Sequence, residues 1–250
     1  MNDGDDPNGD GRGGDDPVGD GSDEDGPAGN VDGDGDEPTS TARTVGETYD
    51  RIASHFARTR EYPWPEVESF LDGRSGGLGL DLGCGNGRHA KPLAARMEDV
   101  VGVDVSRNLL REATDRARER GYGDSFAAVL GDAAALPLRR DIVDVAVYVA
   151  ALHHLRPRER RVASLSELAR VLTPDGRALV SAWCTRSDRF DRTEGFDTEV
   201  DWTLPGGRTV PRFYHIYDPE EFRADLDASA LRTVEVFVSS GNCYAVVAAE

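Results

Sequence analysis

From Thr44 onward the apolar positions of the chain switch between two periods. In TVGETYDRIASHFART, residues 44–59, Val45, Tyr49, Ile52, Ala53 and Phe56 recur at helical spacing and predict one buried helix face. PWPEVESFL begins a second helix with proline in its first turn. GLGLDLG is a short apolar strand ending at Gly83, and residues 86–97 predict the next helix. EDVVGVDVS is another strand, after which Ser106 caps a long helix reaching Arg120. SFAAVLGD and DIVDVAVYVA follow as strands, the second apolar on both faces. RPRERRVASLSELARVL is an amphipathic helix stopped by TPDG before the fifth strand, RALVSAWC. Residues 186–212 read as an irregular, polar substrate loop. DPEEFRADLD gives a last helix, and TVEVFVSS with NCYAVVAA closes the chain as a hairpin. Strands alternating with helices predict an α/β, doubly wound parallel sheet.

The first 43 residues depart from this pattern. Residues 1–38 hold 14 acids and one base, Arg12, so −13 of the net charge of −18 lies there. With too few apolar residues to offset chain entropy, this stretch is expected to be a disordered acidic tail preceding a domain over residues 44–250. Its DPNGDG run (Asp6 to Gly11) opens like a calcium loop. Pro17 stands where the bidentate glutamate belongs, which leaves a solvated polyanion as the stronger reading.

Charge usage elsewhere adds a second signal. The chain has 28 arginines and one lysine, Lys91, among 47 acids. An acidic, lysine-poor surface suits a high-salt, halophile-like cytoplasm. No apolar run approaches ~20 residues, so neither export nor a membrane span is expected. Cys84, Cys184 and Cys243 are too scattered for a zinc knuckle, and no metal site is expected.

The sharpest motif is DLGCGNG, Asp81 to Gly87. Gly83, Gly85 and Gly87 allow a tight strand-to-helix turn and close approach of a ligand. Asp104 ends the next strand, where a carboxylate can accept both hydroxyls of a ribose. One strand later Asp132, beside Ala133, suits an adenine edge and face. The spacing differs from the dinucleotide fingerprint, there is no Walker lysine, and acidic walls repel pyrophosphate. A cationic sulfonium fits them better. The constellation resembles the class I S-adenosylmethionine-dependent methyltransferases across residues 44–250. That resemblance implies a mostly parallel seven-stranded sheet with helices on both faces and an antiparallel final strand. It also implies S-adenosyl-L-methionine as cofactor, held by Tyr49, Asp81, Gly83, Cys84, Gly85, Gly87, Asp104, Val105, Asp132 and Ala133. Cys84 reads as a small packing residue rather than a nucleophile.

Three further blocks narrow the resemblance: YDRIASHFARTREYPWPEVESFL, HHL with RERRVASLSELARVL, and DWTLPGGRTVPRFYHIYDPEEF. Together they resemble the tRNA wobble-uridine carboxymethyl methyltransferases, which esterify the carboxylate of 5-carboxymethyluridine. The resemblance implies the tRNA anticodon loop and a small zinc-binding activator subunit as partners, with neither DNA nor a membrane. The resemblance implies that the activator covers an exposed sheet edge; SFAAVL reads as a candidate edge strand, and the sequence does not assign the activator to it.

A carboxylate is already ionised at neutral pH, so such a reaction needs no general base. It needs positioning and a cation, and Arg60 and Arg212 match family positions for that task. A surface ion pair is the competing reading for Arg60. Tyr214 and His215 are expected to stack on or hydrogen-bond the uracil, and Trp64 to line the pocket or cap the second helix. Of the histidine pair, His153 is expected to face the substrate while His154 caps or packs. Arg156, Arg158, Arg160 and Arg161, with Arg170 farther along the same helix, lie near the site; the first four read either as phosphate contacts or as a solvated helix face paired with glutamates.

Two departures from the family pattern, Tyr62 before PWP and Cys243 in GNCY, bear on the substrate rather than the cofactor. A methyltransferase of small metabolites, such as a quinone precursor, is the alternative enzyme. A partner-binding scaffold with a vestigial cofactor site is the non-enzymatic one.

Overall fold

The order of strands fixes where a ligand can sit. Seven strands run β3-β2-β1-β4-β5-β9-β8, and the order reverses between β1 (Gly76–Leu82) and β4 (Val143–Val149). β1 also pairs in parallel with β2 (Met97–Asp104), which pairs with β3 (Phe126–Leu130). β4 pairs in parallel with β5 (Leu172–Trp183). β9 (Asn242–Ala249) lies antiparallel between β5 and β8 (Leu231–Ser239), as expected for the final strand. Such a reversal opens a crevice beyond the carboxyl ends of the strands. The structure is a computed structural model describing residues 38–250, with side chains from Arg43 onward. The acidic tail over residues 1–37 and its DPNGDG run lie outside the described residues.

Side-chain alternation along β4 builds two cores. Ala146 and Tyr148 face a cluster with Leu165 and Leu168 of α5 (Arg158–Val171) and Phe222 and Leu226 of α6 (Pro219–Asp227). Val145, Val147 and Val149 face the other cluster, with Val67 and Phe70 of α2 (Pro65–Leu71) and Leu93 of α3 (Ala90–Ala94). A strand covered on both faces has no polar side, which is why β4 reads as a continuous apolar run. α4 (Arg107–Glu119) starts at Ser106, whose hydroxyl oxygen accepts from Leu109 N at 3.1 Å.

Four expectations need correction. α1 runs Pro38–Thr59, so residues 38–43 are helical rather than part of the tail. The helix expected over residues 86–97 shrinks to α3, because Gly85 and Gly87 hold left-handed φ of 52° and 72° and the chain keeps turning until Ala90. TPDG does not end before the fifth strand but lies within β5, where the register against β4 shifts. The largest change concerns residues 186–212. Phe196–Thr203 (β6) and Thr209–Ile216 (β7) form an antiparallel hairpin. Phe196, Thr198, Val200 and Trp202 alternate with Asp197, Glu199, Asp201 and Thr203, a period-two signal closed by the LPGG turn. Trp202 and Val210 pack on Ile52 of α1, with Tyr49 and Phe56 beside them.

Candidate functional site

The glycine-rich turn departs from β1 through two backbone bonds, with Gly83 N and Cys84 N donating to Val103 O at 2.8 and 3.0 Å. Gly83 has φ of 67°, and a Cβ there would stand 2.3 Å from Cβ of Ala151. Only glycine lets this turn pass beneath the segment leaving β4. That segment is itself bent: Ala150 holds φ of 55°, uncommon outside glycine, and leads into a short 3-10 turn over Leu152–His154.

Between these turns lies a cavity of about 920 Å³ including its open mouth. Apolar Leu82, Val103, Val105, Leu109 and Leu155 form its walls, with Asp104 and Asp132 on its polar side. Asp104 accepts from Gly85 N at 2.8 Å through one oxygen and from Ser106 N at 2.9 Å through the other. Burial raises its pKa, opposed by these bonds. Asp132 accepts from Ala134 N and is ion-paired with Arg160 of α5.

Most of the expected cofactor residues meet here. Tyr49, Gly83, Cys84, Gly85, Asp104, Val105, Asp132 and Ala133 all line the cavity. Gly87 does not; it packs against Ala113 of α4. Asp81 is buried behind the wall, with Oδ2 lacking a hydrogen-bond partner among the described residues. Burial pushes its pKa up to about 7 against the pull of Arg88. Asn86, Arg88 and His89 also line the cavity and were not anticipated. Asn86 ties the turn to α1, donating to Arg60 O at 2.7 Å and Ala57 O at 3.2 Å.

The histidine pair divides in the opposite sense to the expectation. His154 lines the cavity; His153 does not and is 1% exposed. His153 Nδ1 accepts from Trp183 N at 3.0 Å, so the main chain of β5 holds that ring. His154 lies 2.7 Å from the Tyr49 hydroxyl through Nε2 and 2.8 Å from Phe213 O through Nδ1. A carbonyl only accepts, so Nδ1 carries the hydrogen and Nε2 accepts from tyrosine. Burial lowers the pKa of both rings, that of His154 to about 3, and both are neutral.

β7 separates Arg212, Tyr214 and His215, which were expected to act together. Alternation sends Arg212 and Tyr214 to one face and His215 to the other. Tyr214 stacks on Trp183, with centroids 4.5 Å apart, and touches both histidines. His215 instead sits between two carboxylates, with Nδ1 hydrogen-bonded to Asp197 at 2.6 Å and Nε2 lying 2.8 Å from Glu221 without hydrogen-bond geometry. Arg60 and Arg212 converge on Trp202, with Cζ atoms 5.1 and 4.8 Å from its centroid. Trp202 was not anticipated; its indole N–H donates to His55 Nδ1 at 2.9 Å. Trp64 packs on His89 and Tyr244 rather than lining the cavity.

The α5 arginines are mostly internal. Arg158 and Arg161 pair with buried Asp225, Arg161 also with Glu221, Arg160 with Asp132 and Arg170 with Glu167. Arg156 alone of the run lies over a ring, Phe213, while exposed. Among the described residues there is no cluster of metal-ligating side chains and no helix long and apolar enough to cross a membrane.

Comparison with known proteins gives the family and the fold. A model described as a methyltransferase domain matches residues 80–180. The chain is 40% identical over 148 residues to tRNA (carboxymethyluridine(34)-5-O)-methyltransferase ALKBH8 of Mus musculus, which covers 58% of this chain and 20% of the mouse protein. It is 32% identical over 167 residues to the tRNA (carboxymethyluridine(34)-5-O)-methyltransferase of Schizosaccharomyces pombe, covering 64% of this chain and 68% of that one. The chain belongs to the tRNA (carboxymethyluridine(34)-5-O)-methyltransferase family. It spans only a fifth of the mouse member of the family. A chain from the complex between the Haloferax volcanii Trm112 methyltransferase activator and a methyltransferase shares the fold, with TM-score 0.60 at 16% identity, 82% of this chain and 97% of that one covered.

Proposed function

We propose that the protein transfers the methyl group of S-adenosylmethionine to the carboxylate of 5-carboxymethyluridine at the wobble position of tRNA, giving the methyl ester. The observation that carries this reading is the convergence of Arg60 and Arg212 on Trp202, whose neighbour Phe56, 5.6 Å away, lines the cavity. Two guanidiniums on one ring, one residue layer from the cofactor cavity, form a clamp for a planar anion.

The cavity suits the cofactor. Each oxygen of Asp104 accepts one backbone hydrogen and keeps a lone pair for a ribose hydroxyl. Asp132 and Ala133 would meet the adenine, and Tyr49 and His154 the sulfonium end. When bound, S-adenosylmethionine supplies an electrophilic methyl carbon: a carboxylate oxygen bonds to it as the carbon–sulfur bond breaks and its electron pair leaves with sulfur. No proton moves, so the neutrality of His153 and His154 is no handicap. Neither ring adds a positive charge beside a sulfonium. The arginines hold the acceptor, and the apolar walls exclude competing water.

The activity for which its relatives are named supports the acceptor, and the Haloferax volcanii complex supports an activator partner. β3 is one of the two edge strands of the sheet, β8 being the other, and it has Ala127, Ala128 and Leu130 exposed. A small zinc-binding activator pairing there would cover unpaired strand groups. The acid-rich, lysine-poor composition supports work in a salt-rich cytoplasm.

The test is methyl transfer to tRNA carrying 5-carboxymethyluridine, in high salt with the activator subunit, read by nucleoside mass spectrometry. Ester formation that is lost in Arg60→Ala and in Arg212→Ala, with cofactor binding intact, is the expected result. Cofactor binding without ester would move the acceptor to a small metabolite, and absence of cofactor binding would leave a scaffold.

A further inference from the structure

Six aromatic rings touch in a row from the start of β6 to the cavity; the outer three are partly exposed, and the next ring inward, Tyr214, is buried. Phe196, at the start of β6, meets Phe190 at 5.5 Å, and Phe190 meets Trp183 at 6.3 Å. Trp183 stacks on Tyr214 at 4.5 Å, Tyr214 meets His154 at 4.5 Å, and His154 meets Tyr49 at 5.2 Å. The inner two rings line the cavity, whereas Trp183, Phe190 and Phe196 are half-buried. Two exposed arginines lie over the outer rings. Arg192 Cζ is 4.5 Å from the Phe196 centroid, and Arg189 Cζ is 5.5 Å from that of Trp183. Neither arginine and none of the three outer rings lines the cofactor cavity.

We propose that the outer end of this row, Trp183, Phe190 and Phe196, is a stacking platform for the unpaired nucleotides flanking the modified uridine, with Arg189 and Arg192 placed to cover the stacked bases. The proposal rests on the tRNA reading above and adds where the RNA lies.

Three physical points favour it. A base presented to a cavity must leave its neighbours, and those neighbours then need a surface to stack on. Aromatic side chains accept any base, since every base has a π-face, and a planar guanidinium stacks on base and ring alike. The segment also lacks a net positive charge: Asp188, Asp191 and Glu194 balance Arg186, Arg189 and Arg192. Long-range attraction to phosphate is therefore not what it offers, and ring faces are. The buried Tyr214 joins these outer rings to His154 and Tyr49, so the platform is fixed relative to the residues placed at the methyl-transfer point.

The test uses the full chain with its activator subunit and a synthetic anticodon stem-loop carrying 5-carboxymethyluridine. The variants are the double substitution Arg189→Gln/Arg192→Gln and, separately, Phe190→Leu. The expected result is a rise of about tenfold in KM for the stem-loop, about what losing one stacked base brings. In the double variant kcat stays within about twofold and S-adenosylmethionine affinity is unchanged. If Phe190→Leu also loses cofactor binding, its fold is damaged, and the surface double variant alone decides. An unchanged KM in the double variant, with wild-type ester formation normal, overturns the platform and leaves the methyltransferase reading standing. No ester from the wild-type protein with the stem-loop or with whole tRNA overturns both.

Discussion

One imidazole ties three elements together at the cavity wall: His154 accepts from the Tyr49 hydroxyl of α1 at 2.7 Å and donates to Phe213 O of β7 at 2.8 Å. Helix, post-β4 turn and hairpin are therefore held relative to one another by a ring that burial keeps neutral. Tyr49→Phe removes one of these bonds, worth about 1 kcal/mol. The expected outcome is a severalfold loss of S-adenosylmethionine affinity by calorimetry with little change in melting temperature. Unchanged affinity would show that α1 holds its place without the histidine.

Acid should unfold the protein through its histidines. Burial lowers the pKa of His89, His153 and His154 from 6.5 in the folded state, so the unfolded chain takes up protons first and stability falls below about pH 6.5. Asp81 has the opposite sign. Its pKa rises from 3.8 to about 7, so the folded state keeps that proton longer and stability is lost as pH climbs through this range. In denaturant titrations of the apoprotein, the stability of Asp81→Asn relative to wild type should increase from pH 4 to pH 7 and then level off. A difference independent of pH would contradict the buried placement of this carboxylate.

Arg60 and Arg212 should behave as a pair. Replacing either with lysine keeps the charge but loses the planar fork, so activity on tRNA should recover only partly relative to alanine. The alanine variants are expected to lose about 100-fold in kcat/KM, the scale of a buried charge-assisted contact. Recovery to wild-type rates by lysine would argue for simple charge neutralisation.

The glycine turn gives a steric prediction. Gly83→Ala would drive a Cβ to 2.3 Å from Ala151 at a left-handed φ, and it should abolish cofactor binding. Gly206→Ala, in the β6–β7 turn, meets nothing within 4 Å and carries only the strain of its φ of 91°. Its binding isotherm should match wild type.

For the sheet edge, Leu130→Asp places a charge on an exposed position of β3. Co-purification with the activator subunit should drop sharply while cofactor affinity holds. Retained co-purification would move the partner to another surface.

The sheet was legible because local patterns announce it. β4 is apolar on both faces, Ser106 and Asp218 are chemical caps, and the three glycines of the turn all hold left-handed φ. The β6–β7 hairpin was legible in principle through its alternation, but its many charges hid a strand that buries only one face. Residue types and spacing by themselves determined the fold class, the cofactor loop and the carboxylates at the strand ends, since these follow from periodicity and backbone sterics. Tertiary structure alone decided that His154 rather than His153 reaches the cavity, because adjacent residues on a 3-10 turn diverge and the β5 main chain claims the first ring. It likewise sent His215 to a carboxylate pair and brought Arg60, Arg212 and Trp202 together. They stand far apart in sequence, and only the packing of the hairpin on α1 makes them neighbours.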